Sequence, residues 1–266
     1  MEILQLIFLG LAVGLLSSFF GIGGGSLIVP VMYGLYIQLP PTMVVSISLG
    51  SIFIIATSNV YKFNKQKLLP NKDLIINFVI FCSIGAFLGA QVVYLIDTKL
   101  AKFVMGIILA FMVLKILFMK KIEIAETDNY SPHKTAFAFT GFAGAFISSI
   151  TGLGGGIIFT PVFMNILKVP TKRVSPYSNL AMLITTLIGV IPHLFVELKG
   201  EEIFKQAWLN QAFVGQVNLA IIGIIATASL LTSSIGVKLN STVPTQTKKY
   251  LLAVLIAVFS IKLLFF

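Results

Sequence analysis

Gly21-Ile22-Gly23-Gly24-Gly25-Ser26-Leu27-Ile28-Val29-Pro30 places four glycines and a proline in the middle of an apolar run. A matching stretch runs from Gly152 to Pro161, at a constant offset of 131 residues. The match extends back through Ser17-Ser18 against Ser148-Ser149. The chain therefore contains an internal repeat, and its two halves interrupt their apolar runs at the same place.

The composition places the chain in a lipid bilayer. Of its 266 residues, 57% are hydrophobic and 11% are charged, and the mean hydropathy is +1.00. Long apolar runs separated by short polar loops are typical of a polytopic α-helical membrane protein. A soluble domain has too little polar surface to cover so many helices that are apolar all round. We therefore predict an all-α membrane helical bundle.

The apolar runs, which we call arms, number five in each half of the chain. The most polar stretch indicates a cytoplasmic linker at 123–134, with an N-terminal transmembrane repeat at 1–122 and a C-terminal one at 135–266. The predicted arms are 3–20, 26–38, 42–61, 74–96 and 101–119 in the first repeat and 135–151, 157–168, 174–196, 207–231 and 250–266 in the second. Each repeat thus has one glycine-broken pair of arms followed by three others.

The glycine breaks decide the topology. As one continuous helix, residues 3–38 would be roughly 54 Å long at about 1.5 Å per residue, much longer than the hydrocarbon core of about 30 Å. The arm 26–38 is only about 20 Å long by the same rise, which is too short to cross. We therefore predict that each broken stretch is a helical hairpin that returns to the side from which it entered.

The basic residues of the loops favour the same interpretation. With the hairpins folded back, the 19 Lys and Arg residues divide 14 to 5 between the two faces of the membrane, whereas continuous crossings would divide them 8 to 11. The positive-inside rule favours the first division and makes the richer face cytoplasmic. Topology thus accounts for the net charge of +10, and no nucleic acid partner is expected.

An odd number of arms in each half has a geometric consequence. The second half enters the membrane from the opposite side, so we predict two inverted-topology repeats, each with a Gly-broken helical hairpin and three spanning helices. The chain is then a multi-pass protein of the cell inner membrane with both termini outside the cytoplasm. Inverted repeats with broken helices near the bilayer midplane are the recurring design of secondary transporters.

The two breaks also form the predicted binding site. Unpaired backbone groups cost several kcal/mol in a bilayer, so non-helical backbone survives only where protein buries it or where it lines a wet cavity. The arm after each break begins with free N–H groups and the positive end of a helix dipole, which favour a small anion. The alternative role for the glycines is close packing of helices. The predicted contributors are Gly23, Gly24, Gly25, Gly154, Gly155 and Gly156.

Polar side chains near the breaks complete this predicted site. Asn179 is a candidate because an amide within an apolar arm needs hydrogen-bond partners. Each serine could instead bond to a carbonyl one turn earlier in its own helix. His193 follows Pro192 and could either relay a proton or mark a helix kink. The side chains expected around the anion are Ser17, Ser48, Ser148, Ser178 and Asn179.

Several functional classes are disfavoured by what the sequence lacks. All carboxylates fall at arm ends or in loops, whereas cation exchangers usually bury one in an arm. Cys82 is the only cysteine, which excludes a cysteine-rich metal site. Ser26 and Ile157 stand where a dinucleotide fingerprint has its third glycine, so no cofactor is expected. No Gly-x-Ser-x-Gly element is present, and we predict neither catalytic residues nor an enzyme.

These features resemble a known family. The twin Gly-x-Gly-Gly-Gly-(x)4-Pro elements, the duplicated apolar halves and the serines that follow, Ser48 and Ser178, are similar to the sulfite exporter TauE/SafE family of membrane transporter proteins. The resemblance covers essentially the whole chain and implies export of sulfite or a related small sulfur-containing anion, such as a sulfonate. The family commonly has Ala-Thr-Ser in the following arm, and here only the serine of that pattern is present.

We therefore predict a secondary transporter that exports a small anion by alternating access around both breaks. The alternatives that the sequence leaves open are a passive anion channel and a transporter of another small anion. No nucleotide-binding motif is present, so the driving force is expected to come from an ion gradient or the membrane potential. The sequence also leaves open whether the protein forms a homodimer.

Overall fold

The computed structural model describes residues 2–20, 23–36, 39–70, 72–118, 133–197 and 204–265. Most of the predicted linker 123–134 lies outside these ranges. A short 3-10 turn, Val93–Leu95, follows the fourth helix. In chain order the other elements are α1 (Glu2–Phe20), α2 (Gly25–Leu35), α3 (Pro41–Lys65), α4 (Lys72–Val92), α5 (Thr98–Phe118), α6 (Lys134–Thr151), α7 (Gly156–Asn165), α8 (Thr171–Leu194), α9 (Ala207–Gln211), β1 (Phe213–Val214), β2 (Val217–Asn218), α10 (Leu219–Thr242) and α11 (Thr245–Phe265).

The lengths of the helices separate membrane crossings from shorter arms. Among the described residues, six helices are long and apolar enough to cross a membrane, namely α1, α3, α4, α5, α8 and α10. By contrast, α2 and α7 have 11 and 10 residues, or about 15 to 17 Å at the helical rise, which is about half of a hydrocarbon core. The predicted all-α membrane bundle is confirmed, and the arms after the breaks are too short to cross.

Both glycine-broken stretches fold back on themselves. The end of α2 lies beside the start of α1, because both contact the segment at Phe204. Tyr36 packs edge-on against Phe204, with 5.4 Å between ring centroids. The Lys205 N–H donates to the Glu2 carboxylate at 3.5 Å. The end of α7 lies beside the start of α6, with the rings of Phe163 and Phe137 5.5 Å apart. Each hairpin returns to the end of the bundle at which it begins, as the arm lengths predict.

The helix contacts follow the same pattern in both halves. α1 packs along α10, and α4 packs along α6. The two central helices, α3 and α8, contact each other, and so do α5 and α11, which end the two halves. Exchanging α1 with α6, α4 with α10, α3 with α8 and α5 with α11 leaves this set of contacts unchanged.

Small residues allow the α1–α10 contact to be close. A Cβ added to Gly14 would overlap the carbonyl oxygen of Ser229. The Ser229 hydroxyl donates to the Gly10 carbonyl at 2.9 Å, and the Thr232 hydroxyl donates to the Leu11 carbonyl at 2.8 Å. Close backbone approach with hydroxyls bonded across the interface is the common way in which helices associate within lipid.

The predicted arm 207–231 is wrong in its bounds. Its first part forms α9 and the β1–β2 hairpin, and α10 continues to Thr242. Two local features explain the difference. Gly215 has φ +59°, which suits a tight turn. The Asn218 side chain accepts the Ile221 N–H at 2.9 Å and so caps the first turn of α10.

The α1–α10 contact makes a testable prediction about stability. Gly14→Ala places a methyl group against the backbone of α10 and should lower the free energy of unfolding by about 1 to 3 kcal/mol, as overpacking does. The matched control is Gly223→Ala, since among the described residues nothing beyond the local backbone of α10 lies within 4 Å of a Cβ added there. Thermal unfolding of both variants in detergent measures the effect. Equal midpoints would contradict the close contact.

Candidate functional site

The two glycine breaks touch each other at the centre of the bundle. A Cβ added to Gly25 would lie 2.5 Å from the carbonyl carbon and oxygen of Leu153 and 2.7 Å from the Gly152 oxygen. A Cβ added to Gly23 would lie 3.6 Å from the Gly156 Cα. Only glycine permits backbones to approach so closely. Gly25 therefore allows the two breaks to pack against each other, which is the alternative role that the sequence left open for the glycines.

The other glycines of the breaks differ in backbone conformation. Gly154 and Gly155 have φ of +68° and +95°, and Gly23 has φ of +77°. These angles lie in the left-handed region that disfavours other residues. Gly24 is different, because its φ of −77° and ψ of −21° are right-handed helical values that any residue adopts. A side chain at Gly24 is excluded by space and not by backbone strain.

A cavity of about 120 Å³ lies beside the first break. Since a water molecule occupies about 30 Å³ of the liquid, the cavity has room for roughly four waters or one small anion. It brings together four members of the predicted site, Ser17, Gly23, Gly24 and Asn179. The other residues that line it are Ser18, Ile52, Ile55, Ala56, Asn59, Phe63, Ser175, Met182 and Val237.

Two amides hold the wall of this cavity. The Asn59 Nδ2 donates to the Asn179 Oδ1 at 2.9 Å and so joins α3 to α8. The Asn179 Nδ2 donates to the Ser175 carbonyl one turn earlier, also at 2.9 Å. Asn59 is not among the predicted site residues. It lies in the predicted arm 42–61, so the rule that selects Asn179, an amide within an apolar arm, could have found it.

The residues that line the cavity range from exposed to almost fully buried. Ser175 and Val237 are exposed at its mouth. Ile52 and Met182 are almost fully buried at its inner end. The Ile52 side chain lies against Gly154, and the Met182 sulfur lies against Gly23. The inner end of the cavity therefore coincides with the contact between the two breaks.

The electrostatic surroundings of the cavity favour negative charge. The lining residues carry no formal charge. Three basic residues, Lys62, Arg173 and Lys238, are close in sequence to the residues of the mouth. α2 begins at Gly25, directly after two lining glycines, so the first N–H groups and the positive end of its dipole face this region. Within the described ranges, no group of three His, Cys, Asp or Glu side chains could hold a metal ion.

Two predicted serines lie elsewhere and have partners in the protein. The Ser48 hydroxyl donates to the Gly152 carbonyl at 2.7 Å and so supports the second break from α3. The Ser178 and Thr160 hydroxyls are 3.0 Å apart and link α8 to α7. Both serines are buried, and neither lines the cavity. Their hydrogen bonds fix the position of α7 and of the break before it.

The second break is surrounded differently from the first. Gly154, Gly155 and Gly156 are buried and lie outside the cavity, with Ile52 and Phe159 covering two of them. Ser148 is completely buried beside Gly155, and its hydroxyl has no hydrogen-bond partner among the described residues. The structure thus gathers the predicted residues of the first break around a cavity and packs those of the second break closed.

Comparison with known proteins agrees with this architecture. The family model for the sulfite exporter TauE/SafE matches residues 6–263. A probable membrane transporter protein of Haemophilus influenzae is 27% identical over 255 residues, which cover 95% of this chain and 92% of that protein. One of Methanocaldococcus jannaschii is 28% identical over 264 residues, which cover 97% and 94%. No solved structure matches. With a match over nearly its whole length, the chain belongs to the sulfite exporter TauE/SafE family and is a membrane transporter protein.

Proposed function

We propose that this transporter moves sulfite, or a related small sulfur-containing anion such as a sulfonate, out of the cell by alternating access. The observation that carries the proposal is the cavity at the first break, where the glycines that precede α2 meet hydroxyl and amide side chains. Backbone N–H groups at Gly23 and Gly24, the Ser17 hydroxyl and the amides of Asn59 and Asn179 would hold the anion.

The volume of the cavity and its hydrogen-bond donors suit a small anion such as sulfite. Hydroxyl, amide and backbone N–H groups can all donate to an oxyanion. No carboxylate is among the described lining residues to attract a cation. The basic residues near the mouth would raise the local concentration of an anion. Outward movement from a cell that is negative inside follows the electrical gradient, so export needs no nucleotide.

The positions of the basic residues support a cytoplasmic mouth. Lys102 lies over the Tyr33 ring at 5.8 Å, and the Lys262 ammonium group approaches Gly34, so both are at the end of α2. These lysines belong to the face with fewer basic residues. Lys62 and Lys238, near the mouth, belong to the richer face. By the positive-inside rule the cavity opens to the cytoplasm and the termini lie outside, which suits an exporter of the inner membrane.

The helix contacts support the inverted repeat on which alternating access depends. The ends of the second hairpin lie near the start of α8, where the Phe163 and Tyr177 rings are 6.2 Å apart. The end of the first helical hairpin lies near the other end of α8. Tyr36, directly after α2, packs on Phe204, and the Phe204 ring stacks at 6.2 Å on Phe213 of the β1–β2 hairpin, which is bonded to the His193 carbonyl. Two related hairpins inserted from opposite ends are what an inverted repeat requires. A cavity closed at one end favours a transporter over an open channel.

Transport by proteoliposomes that contain the purified protein tests the proposed site. Efflux of radioactive sulfite should be saturable, and Asn59→Ala should reduce it about tenfold, because a donor near the bound charge is lost and its partner Asn179 is released. Thr57→Ala is the matched control, since Thr57 lies on the same helix, is exposed and bonds only within α3.

The outcomes separate the alternatives. Efflux that rises linearly with sulfite concentration and shows no counterflow would support the passive channel. If the wild-type protein moves neither sulfite nor a sulfonate faster than empty liposomes, the substrate assignment fails. Equal loss of efflux in Asn59→Ala and Thr57→Ala would contradict a site at this cavity.

Substitutions at Gly24 and Gly155 separate the roles of these two glycines. Gly24→Ala introduces no backbone strain, but its methyl group would lie 2.7 Å from Val13 Cγ1 and 3.8 Å from Ile55, which lines the cavity. The side chains that give way should narrow the cavity and raise the KM for the anion about threefold or more. Gly155→Ala forces a side chain into the left-handed region beside Phe159 and should cost about 1 to 2 kcal/mol of stability. Transport kinetics and thermal unfolding of both variants provide the test. An unchanged KM in Gly24→Ala would contradict the proposed position of the anion.

A further inference from the structure

The internal repeat assigns a counterpart to most residues of the cavity. The offset of 131 holds through Pro30 and Pro161, and it becomes 130 from Pro40 and Pro170 onward because the second loop is one residue shorter. By these offsets, Ser17 and Ser18 correspond to Ser148 and Ser149, Asn59 to Gly189, Phe63 to His193, Asn179 to Leu49, and Met182 to Ile52.

The counterpart region is packed closed. A Cβ added to Gly189 would lie 2.8 Å from the Ser149 hydroxyl and 3.1 Å from the end of the Leu49 side chain. Ser148 and Ser149 are 0% exposed, whereas Ser18 in the first half is half-buried and lines the cavity. The same positions therefore surround a cavity in one half and a closed cluster in the other. We call Ser148, Ser149 and His193 the second cluster.

The second cluster has hydrogen-bonding capacity that the described residues do not use. The hydroxyls of Ser148 and Ser149 and the Nε2 of His193 are buried and have no partner among the described residues. Unsatisfied buried polar groups are costly and need an explanation. The other ring nitrogen of His193 lies 2.7 Å from the Tyr94 hydroxyl. This contact orients the ring, and Nε2 is the ring nitrogen that has no partner among the described residues.

The second cluster lies towards the opposite end of the bundle from the mouth of the cavity. Ser175 at the mouth and His193 in the cluster are both on α8, separated by about 27 Å along the helix axis. The β1–β2 turn covers this end, since the Gln216 N–H donates to the His193 carbonyl at 2.8 Å. This turn belongs to the segment between α8 and α10, which is much longer than the connection between α3 and α4.

We propose that the second cluster is the occluded half of the transport pathway and binds the same class of small oxyanion when it opens to the face opposite the cavity. The inference rests on the proposed function. In this state the Ser148 and Ser149 hydroxyls and the His193 Nε2–H donate to the anion, and the Tyr94 hydroxyl donates to Nδ1 and so keeps the proton on Nε2. The β1–β2 turn must move away from His193 for the pathway to open.

Cysteine accessibility tests the pathway without reference to substrate. Starting from Cys82→Ser, which removes the only cysteine, Ser18→Cys and Ser149→Cys are each treated with a membrane-impermeant maleimide. Right-side-out and inside-out vesicles are compared in sulfite-free buffer. We expect Ser18→Cys to react from one face and Ser149→Cys to react, more slowly, from the other. Reaction of both from the same face, or of Ser149→Cys from neither, would overturn the proposal.

A second measurement tests the role of the histidine. His193→Phe, which introduces the residue of the first half, should reduce transport about tenfold with unchanged gel filtration, because the donor to the anion is lost. The control is His133→Phe, since His133 is exposed before α6. Undiminished transport in His193→Phe would overturn its role as a ligand. If the wild type transports no anion while Ser149→Cys still reacts from the far face, only the proposed substrate fails.

Discussion

The contact between the two glycine breaks is the constraint on which the rest of the structure depends. At Gly25 the chain of one half lies against the carbonyl groups of Gly152 and Leu153 in the other half, at a distance that no side chain would allow. Both hairpins therefore end near the middle of the bundle, and α2 and α7 begin there. Because non-helical backbone within a membrane must be buried or line a cavity, the place where the hairpins meet is also where a binding site can form.

Much of the fold follows from the sequence because a bilayer restricts both the length of a crossing helix and the places where unpaired backbone can lie. Run length and the glycine breaks predict ten arms and two folded-back hairpins, and α2 and α7 are indeed half-length helices. The segment before α10 could not be predicted in this way. Its β1–β2 hairpin depends on a bond from Gln216 to the end of α8 and on the cap that Asn218 provides, and neither leaves a periodic pattern in an apolar run.

The candidate site is less predictable than the fold because tertiary contacts decide the partner of each polar group. Ser17 and Asn179 were predicted and do line the cavity, yet Ser48 bonds to the second break instead. The two breaks have matching glycines and serines in the sequence. Only the structure shows that the first break borders a cavity and that the second is packed closed. That asymmetry is what a transporter captured in one of two exchangeable states would show.

Direct observation of the bound anion tests the central claim, that the cavity at the first break is where substrate binds. Selenite has the shape and charge of sulfite, and its selenium atom scatters X-rays anomalously. We expect a crystal of the protein soaked in selenite to show one anomalous peak between the Ser17 hydroxyl, the start of α2 and the Asn179 amide. A peak away from both glycine breaks, in a protein that transports selenite, would contradict the claim.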